Sequence, residues 1–432
     1  MLVTADRSAR RLLRNLLWNM FAISTLPLLL IGALLPARRT KLVFGSSPII
    51  SNKYWSEALR AAGHDSMTVV DGHFDINREQ DFDRYFVGFA PSWLPRRLRL
   101  AFGACLALLF VLRNAQVVHM PFSGFALNDT ILWRWEARLF RLANIKTIIM
   151  PFGADFWMYS RLMDPALRFG LLASYPEANR IEDAQSRRVA HWTRHADAII
   201  SGFILDGLGR WDVTVPIMFT IDADEWQPKD AYSTSDGHTG SVKILHTPNH
   251  RGFKGTEFVI DAVERLKGEG LQVELVLLER VPNQHVKELM REVDILAEQF
   301  IWTGYALSGI EGMASGLPVL ANLEHEAYTR VFRRNSFLDE CPILSATPEN
   351  LADRLRLLVI NPDLRAALGR SGRTYVEKYH SYEAAQYLFG SVYDRILHGK
   401  DIDLMNLFHP LKGPQRRPRV RHPLTENRLR AE

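Results

Sequence analysis

The sequence predicts two Rossmann-like α/β domains facing a cleft, and three observations predict them. From Lys41 onward, short β-branched runs alternate with helical segments, the pattern of a parallel sheet covered on both faces. A polar stretch, Gln227-Pro228-Lys229-Asp230 through Gly237, breaks the alternation with the composition of a linker and puts a boundary near residue 230. A second alternation then starts at Val242. With 432 residues, 47% of them hydrophobic, the chain is long enough for two or three cores, which excludes disorder as its main state.

Residues 1–40 read as an apolar, membrane-associating segment. Arg14 and Arg38 frame an uncharged run, 15–37, long enough as a helix to cross about 30 Å of hydrocarbon. A signal peptide needs a small-x-small cleavage site, whereas Gly32-Ala33-Leu34-Leu35-Pro36 leads straight into Arg38-Arg39. A spanning helix needs unequal basic flanks, but Arg7, Arg10, Arg11 and Arg14 nearly balance Arg38, Arg39 and Lys41. Pro27 near the middle and positive charge on both sides favour a re-entrant or interfacial segment over a span, an apolar hairpin with both flanks at one anionic face.

The first domain, 41–228, opens with a strand at 42–44, a turn at 45–48 and a helix at 54–62 ended by Gly63. Further strands are expected at 67–70, 117–120, 147–150 and 198–201. Between them, Arg96, Arg97 and Arg99 lead into the apolar run 100–112, closed by Arg113; it is too short to span, and reads as a buried helix or as one lying in a bilayer interface. The second domain, 240–385, runs strand 242–246, helix 256–267, strand 273–278, helix 284–293, a short strand at 294–297 and a strand at 318–321. Phe258, Val259, Ala262, Val263 and Leu266 form the apolar stripe of its first helix. Helical patterns continue from 348 to 397, and 399–432 reads as a basic, disordered tail.

Net charge is +5 but unevenly placed. Residues 1–41 carry seven Lys/Arg against Asp6, and 398–432 carry eight against four acids, which leaves the body at −5. Basic ends on an acidic body suit an anionic membrane surface and not a nucleic-acid groove, so no nucleic-acid partner is expected. Cys105 and Cys341 sit in apolar surroundings, which points away from disulfides and zinc and towards a reducing compartment.

In open α/β sheets ligands bind outside the carboxyl ends of the strands, so the loops there carry the chemistry. After the strand at 242–246 comes His246-Thr247-Pro248-Asn249-His250-Arg251-Gly252-Phe253-Lys254-Gly255-Thr256, in which two cations and two glycines precede a helix. Backbone N–H groups and the helix dipole favour an anion there, and Arg251 and Lys254 supply charge, or else are solvated loop cations. A second loop, Trp302 to Val319, opens a short helix with Glu311 near its start. That carboxylate suits a ribose diol, or simply stabilises its own helix.

Lys254-Gly255 before a helix, then Glu311-Gly312-Met313-Ala314-Ser315-Gly316-Leu317-Pro318-Val319, resembles the donor domain of GT-B glycosyltransferases of the large retaining group, family 4 (glycosyl transferases group 1). Asn361-Pro362-Asp363-Leu364-Arg365, Gly369-Arg370-Ser371-Gly372-Arg373 and Tyr379-His380-Ser381 resemble that group's C-terminal helices. Those helices cross back to the first domain, here expected at 386–398. The similarity is strong over 242–397 and weaker over 41–225, where Val117-Val118-His119, Gly153-Ala154-Asp155 and Ile221-Asp222 stand at acceptor-side and interdomain loops. The resemblance implies that Lys254 contacts a donor diphosphate and Glu311 its ribose, while Ala306, Leu307 and Ser308 offer backbone N–H groups to the phosphates. Two departures stand out. The group's first glutamate, eight positions before Glu311, is Thr303, and its Arg, five before Lys254, is Asn249, for which Arg251 can substitute.

The expected activity is a metal-independent, hexosyl-type transfer from a nucleotide-diphosphate sugar to a lipid-linked or polysaccharide acceptor at the cytoplasmic face of the membrane. Retention follows from the resemblance, by front-face attack assisted by the departing phosphate. No cofactor beyond the donor substrate is expected. His119 and Asp155 are the candidate catalytic contacts to sugar or acceptor; each also reads as a structural residue, a core histidine and a turn or cap. A sugar-nucleotide 2-epimerase of the same fold and a catalytically silent scaffold at a membrane assembly are the rivals.

Overall fold

A computed structural model describes residues 2–432 other than 75–76, 280, 282, 413–417 and 425–432, with side chains from Asn15 onward. The side chains of Arg7, Arg10, Arg11 and Arg14, and residues Arg416, Arg417, Arg428 and Arg430, therefore lie outside the described residues.

In the first half, β1 (Lys41–Phe44), β2 (Ser66–Val70), β3 (Arg84–Tyr85), β4 (Ala115–Met120), β5 (Lys146–Ile149) and β6 (Ala198–Ile199) form one sheet in the order β3-β2-β1-β4-β5-β6. Every pair is parallel. Its helices are α1 (Leu2–Leu34), α2 (Ser51–Ala61), α3 (Arg96–Asn114), α4 (Trp135–Leu142), α5 (Pro165–Ser174) and α6 (Glu182–His195). The strands read as near-continuous apolar runs because both faces are covered. Leu42, Phe44 and Val117 pack in one core, while Val43 and Val118 point the other way into a second core with α3.

The second half is a five-stranded parallel sheet, order β11-β10-β9-β7-β8, built from β7 (Val242–His246), β8 (Val273–Leu277), β9 (Ile295–Gln299), β10 (Val319–Ala321) and β11 (Leu344–Ser345). Its helices are α7 (Arg251–Lys254), α8 (Thr256–Gly268), α9 (Asn283–Met290), α10 (Leu307–Ala314), α11 (Glu326–Asn335), α12 (Leu351–Val359) and α13 (Pro362–Tyr379). Strand order reverses between β1 and β4 in one sheet and between β7 and β9 in the other. Those reversals open the crevices in which doubly wound sheets hold ligands.

The linker is held fast. Arg365, almost fully buried, donates to the Ser233, Ser235, Leu358 and Val359 carbonyls and so pins 233–235 to the end of α12. The chain returns to the first half earlier than 386: His380 Nδ1 lies 2.8 Å from the Phe219 carbonyl, and the Ile221 amide donates to the His380 carbonyl at 2.9 Å. From there α14 (Tyr382–Ile396) lies on α2, with Gln386 donating to the Ala58 carbonyl and Tyr382 to Glu57. Burial of Leu388, Phe389 and Val392 fixes that docking, at about 2 kcal/mol per side chain.

Three expectations change. The N-terminal segment is one helix running through Pro27 and not a hairpin, with its apolar window, 15–34, the one described segment long and apolar enough to cross a membrane. The run 100–112 is a core helix: in α3, Ala104, Cys105, Leu108, Val111 and Leu112 are buried, and α1 stacks along it with Phe21 and Phe102 rings 5.5 Å apart. Arg39 and Arg113 join the two helix ends by donating to the Leu112, Leu35 and Pro36 carbonyls. The tail, in its described part, is ordered. Phe408 packs on Phe337, Arg419 pairs with Asp339 at 2.8 Å, and the Val420 amide donates to Glu340.

Candidate functional site

The carboxyl ends of β7 and β9 hold the densest polar arrangement of the second half. His246 closes β7: its Nδ1 lies 2.7 Å from the Ala297 carbonyl and its Nε2 2.9 Å from Thr256 Oγ1, so it ties β7 to β9 and α8. Burial drives its pKa down to about 4, and it stays neutral. After the short turn of α7, Gly255 adopts φ +76°, a left-handed conformation that lets α8 begin at once. Lys254 is thereby turned inward. Its Nζ lies 2.5 Å from Glu298 Oε1 and 2.8 Å from Gln299 Oε1, both at the end of β9.

Glu298 is the residue the sequence reading missed. Its carboxylate receives Lys254, the Ser308 hydroxyl at 2.9 Å and the Ala306 amide at 3.4 Å, and so sits at the N-terminal end of α10. Lys254 and the backbone N–H groups at 306–308 are what the resemblance assigns to a donor diphosphate; the Ser308 hydroxyl joins them here. These groups hold the protein's own Glu298 carboxylate.

Glu311 lies one turn further along α10, buried, with Asn283 Nδ2 at 3.3 Å from Oε1. Desolvation, helped by the nearby Glu298 charge and opposed by Asn283, Lys287 and Lys254, pushes its pKa up to about 8, so it is protonated at neutral pH. Across the cleft, Tyr54 of α2 is close enough to feel Glu311; burial first and that charge second raise its hydroxyl pKa well above the ordinary value. Leu307 is a half-buried part of the core between the domains.

Asn249 and Arg251 do not join this group. Arg251 is drawn to the rim by Glu257 at 2.8 Å and Glu279 at 3.0 Å. With exposed Asn249 it lines a separate cavity of about 300 Å³ whose far wall is Ala173 and Ser174 of α5. Thr303, where the family has glutamate, is fully buried, and its Oγ1 has no hydrogen-bond partner among the described residues.

In the first half both candidate catalytic residues, His119 and Asp155, are engaged in contacts between elements. His119 lies on the same strand face as Val117, under α14: its ring stacks on Phe44 at 3.9 Å, Nδ1 lies 3.1 Å from the Val43 carbonyl and Nε2 2.9 Å from the Tyr393 hydroxyl. Burial lowers its pKa to about 3, and both ring nitrogens are engaged, so it joins β1, β4 and α14. Asp155 is likewise committed to structure. It accepts the Phe122, Phe152 and Gly153 amides at 2.9, 3.0 and 3.0 Å, clamping the loops after β4 and β5, and burial raises its pKa to about 6. Glu136 does the same for the Phe125, Ala126 and Leu127 amides. At the β1/β4 crevice these clamped loops leave only about 10 Å³, between Ser47, Asn52, Pro121 and Phe152, space for one water.

The 151–181 segment reaches over to the second half. Trp157 approaches Trp302 at 6.0 Å, the Met163 and Asp164 amides donate to the Tyr328 hydroxyl, and α5 lies against α7. The two sheets thus face each other across a closed cleft.

No protein-family model matches the sequence, and no curated protein does. Solved structures do match in shape. Sucrose-phosphate synthase from Thermosynechococcus elongatus superposes with a TM-score of 0.55 at 14% identity, over 84% of this chain and 100% of that one. The Anabaena HepE protein, solved in complex with UDP, superposes with a TM-score of 0.51 at 14% identity, over 81% and 98%. The fold is therefore of the GT-B kind that these two structures share.

Proposed function

We propose that this protein is a glycosyltransferase that moves a sugar from a nucleotide-diphosphate sugar to a lipid-linked or polysaccharide acceptor at the cytoplasmic face of a membrane, with retention. The observation that carries the reading is the convergence of Lys254, Ser308 and the α10 N-terminus at the β7/β9 crevice. A leaving diphosphate needs its developing charge neutralised by fixed cations and dipoles, and this crevice supplies both. The donor takes the position of the Glu298 carboxylate, which turns out of the crevice, while Glu311 one turn below meets the ribose. That HepE, which shares the fold, was solved in complex with UDP supports a nucleotide ligand. Retention and the acceptor rest on the resemblance to the retaining group and on the apolar α1.

The test is calorimetric titration with UDP and other nucleoside diphosphates, followed by a sugar-nucleotide panel read as thermal stabilisation. Binding that weakens in Glu311→Ala and in the Lys254→Met, Glu298→Gln double variant supports the site. Binding unchanged in both sinks it, and no binding to any nucleotide leaves the silent scaffold, which the internal Lys254–Glu298 pair and Thr303 would then favour. Conversion of a sugar nucleotide without acceptor would identify an epimerase instead.

A further inference from the structure

We propose that the face built from α1, α4 and α6 docks onto an anionic lipid bilayer, with α1 lying in the plane of the interface and not crossing it. The inference rests on the membrane location proposed above and supplies the residues that bring it about.

The first observation is how α1 divides its circumference. Ala22, Leu29 and Ala33 are buried against the first domain, whereas Leu16, Met20, Ile23, Leu28, Ile31 and Leu34 are exposed. The exposed set recurs every three to five positions and forms one apolar stripe about 27 Å long. A continuous apolar strip of that length marks a partner surface. A crossing helix has lipid on all sides. This one is docked along α3 from Phe21 to Gly32, so carrying it across a bilayer would drag in α3 with Arg96 and Arg97 at its start and Arg113 at its end.

The second observation is charge. Asn19 of α1 accepts the Ile131 amide at 2.8 Å, and Ile131, itself exposed, leads directly into α4. From there Arg134, Arg138 and Arg141 stand exposed on α4 or at its start, and Arg194 on α6. Their charges all bear on His191 or His195, whose pKa values are lowered first by desolvation and then by these neighbours. Among the described residues none of the four arginines has an ion pair, and Arg141 meets only the ring of His195. Glu136, the acid of α4, does not neutralise them, because it is spent on backbone amides beneath. Arg134 lies over Trp133 at 4.2 Å and Arg138 over Trp135 at 5.1 Å.

Unpaired guanidiniums and half-buried indoles beside an apolar stripe match a bilayer's own layering, phosphates above acyl chains. A second copy of the chain fits poorly, because a two-fold contact across this face brings the same four arginines together.

Flotation of the full chain with sealed vesicles tests this. Vesicles containing phosphatidylglycerol should bind it far better than pure phosphatidylcholine. The Arg134→Gln, Arg138→Gln, Arg194→Gln variant should lose partitioning by about a hundredfold, at about fivefold per charge. Ile23→Ser with Ile31→Ser should abolish binding to both. A tag ahead of Met1 should stay open to protease added outside the vesicles. Equal binding to neutral and anionic vesicles, unchanged binding of the arginine variant, protection of the tag, or a dimer that dissociates in the Ile23→Ser, Ile31→Ser variant would each overturn it. UDP binding measured on the same preparations keeps the two readings apart, since the arginines lie outside the nucleotide crevice.

Discussion

Among single residues, Lys254 and Glu298 decide most. Both are buried, and removing one partner leaves the other charged in a dry place, at a cost of about 3–5 kcal/mol. Lys254→Met should therefore lower the urea midpoint sharply, and adding Glu298→Gln should recover most of the loss. Glu298→Gln alone should bind nucleoside diphosphates about tenfold more tightly or better in calorimetry, because a resident like charge no longer opposes the phosphates. Unchanged or weaker binding would mean the carboxylate does not mark the phosphate position. Glu311 makes a prediction with a definite sign. Its pKa is raised from 4.5 to about 8 on folding, so the folded state holds a proton that the unfolded state releases. The stability it contributes is complete below pH 4.5, falls as pH rises, and is gone above about pH 8. Urea unfolding between pH 6.5 and 8, above the range in which the buried histidines titrate, should show that decline, and Glu311→Gln should flatten it.

Between elements, three buried histidines act as joints. His119 links β1, β4 and α14; His246 links β7, β9 and α8; and His380 links the end of α13 to Phe219 and Tyr305. Burial lowers all three pKa values, to about 3, 4 and 4, so their stability is present above the unfolded value of 6.5 and is lost as pH falls below it. Acidification from pH 6.5 towards 4 should cost about 1.4 kcal/mol per pH unit for each histidine. His119→Ala should lower stability by about 3 kcal/mol, while folded enzyme keeps its turnover. Gly369 shows how close α13 comes to the turn after α10. A Cβ there would meet the Gly316 carbonyl oxygen at 2.0 Å, so Gly369→Ala should cost about 1–3 kcal/mol in thermal unfolding.

Strand positions were legible because parallel strands buried on both faces leave unbroken apolar runs. Side-chain partners were less so. His119 looked like a loop residue at a strand end, yet it shares the face of Val117, and that alternation was the available signal. Glu298 interrupts the apolar run of β9, and a charge inside a buried strand demands a partner; Lys254, 44 residues earlier, was the unspent cation. The pairing of Arg251 with Glu279 joins loops after different strands, which no local pattern encodes. Pro27 suggested a break, but the packing of α1 along α3 carries the helix past it.

Over the whole molecule, the chain crosses between its halves at Ile221 and again at His380, the two crossings bonded to each other there, and its tail then crosses back to Phe337 and Asp339. Arg365 holds the stretch beyond the first crossing against α12, and α14 is fixed to α2 beyond the second. Slack is thus absent on either side of that meeting point. The two halves share that bonded meeting point, and a swing about it has to part the contacts that Trp157, Met163 and Asp164 make with Trp302 and Tyr328. On the proposed function, entry of a donor and escape of its spent nucleotide depend on the same swing.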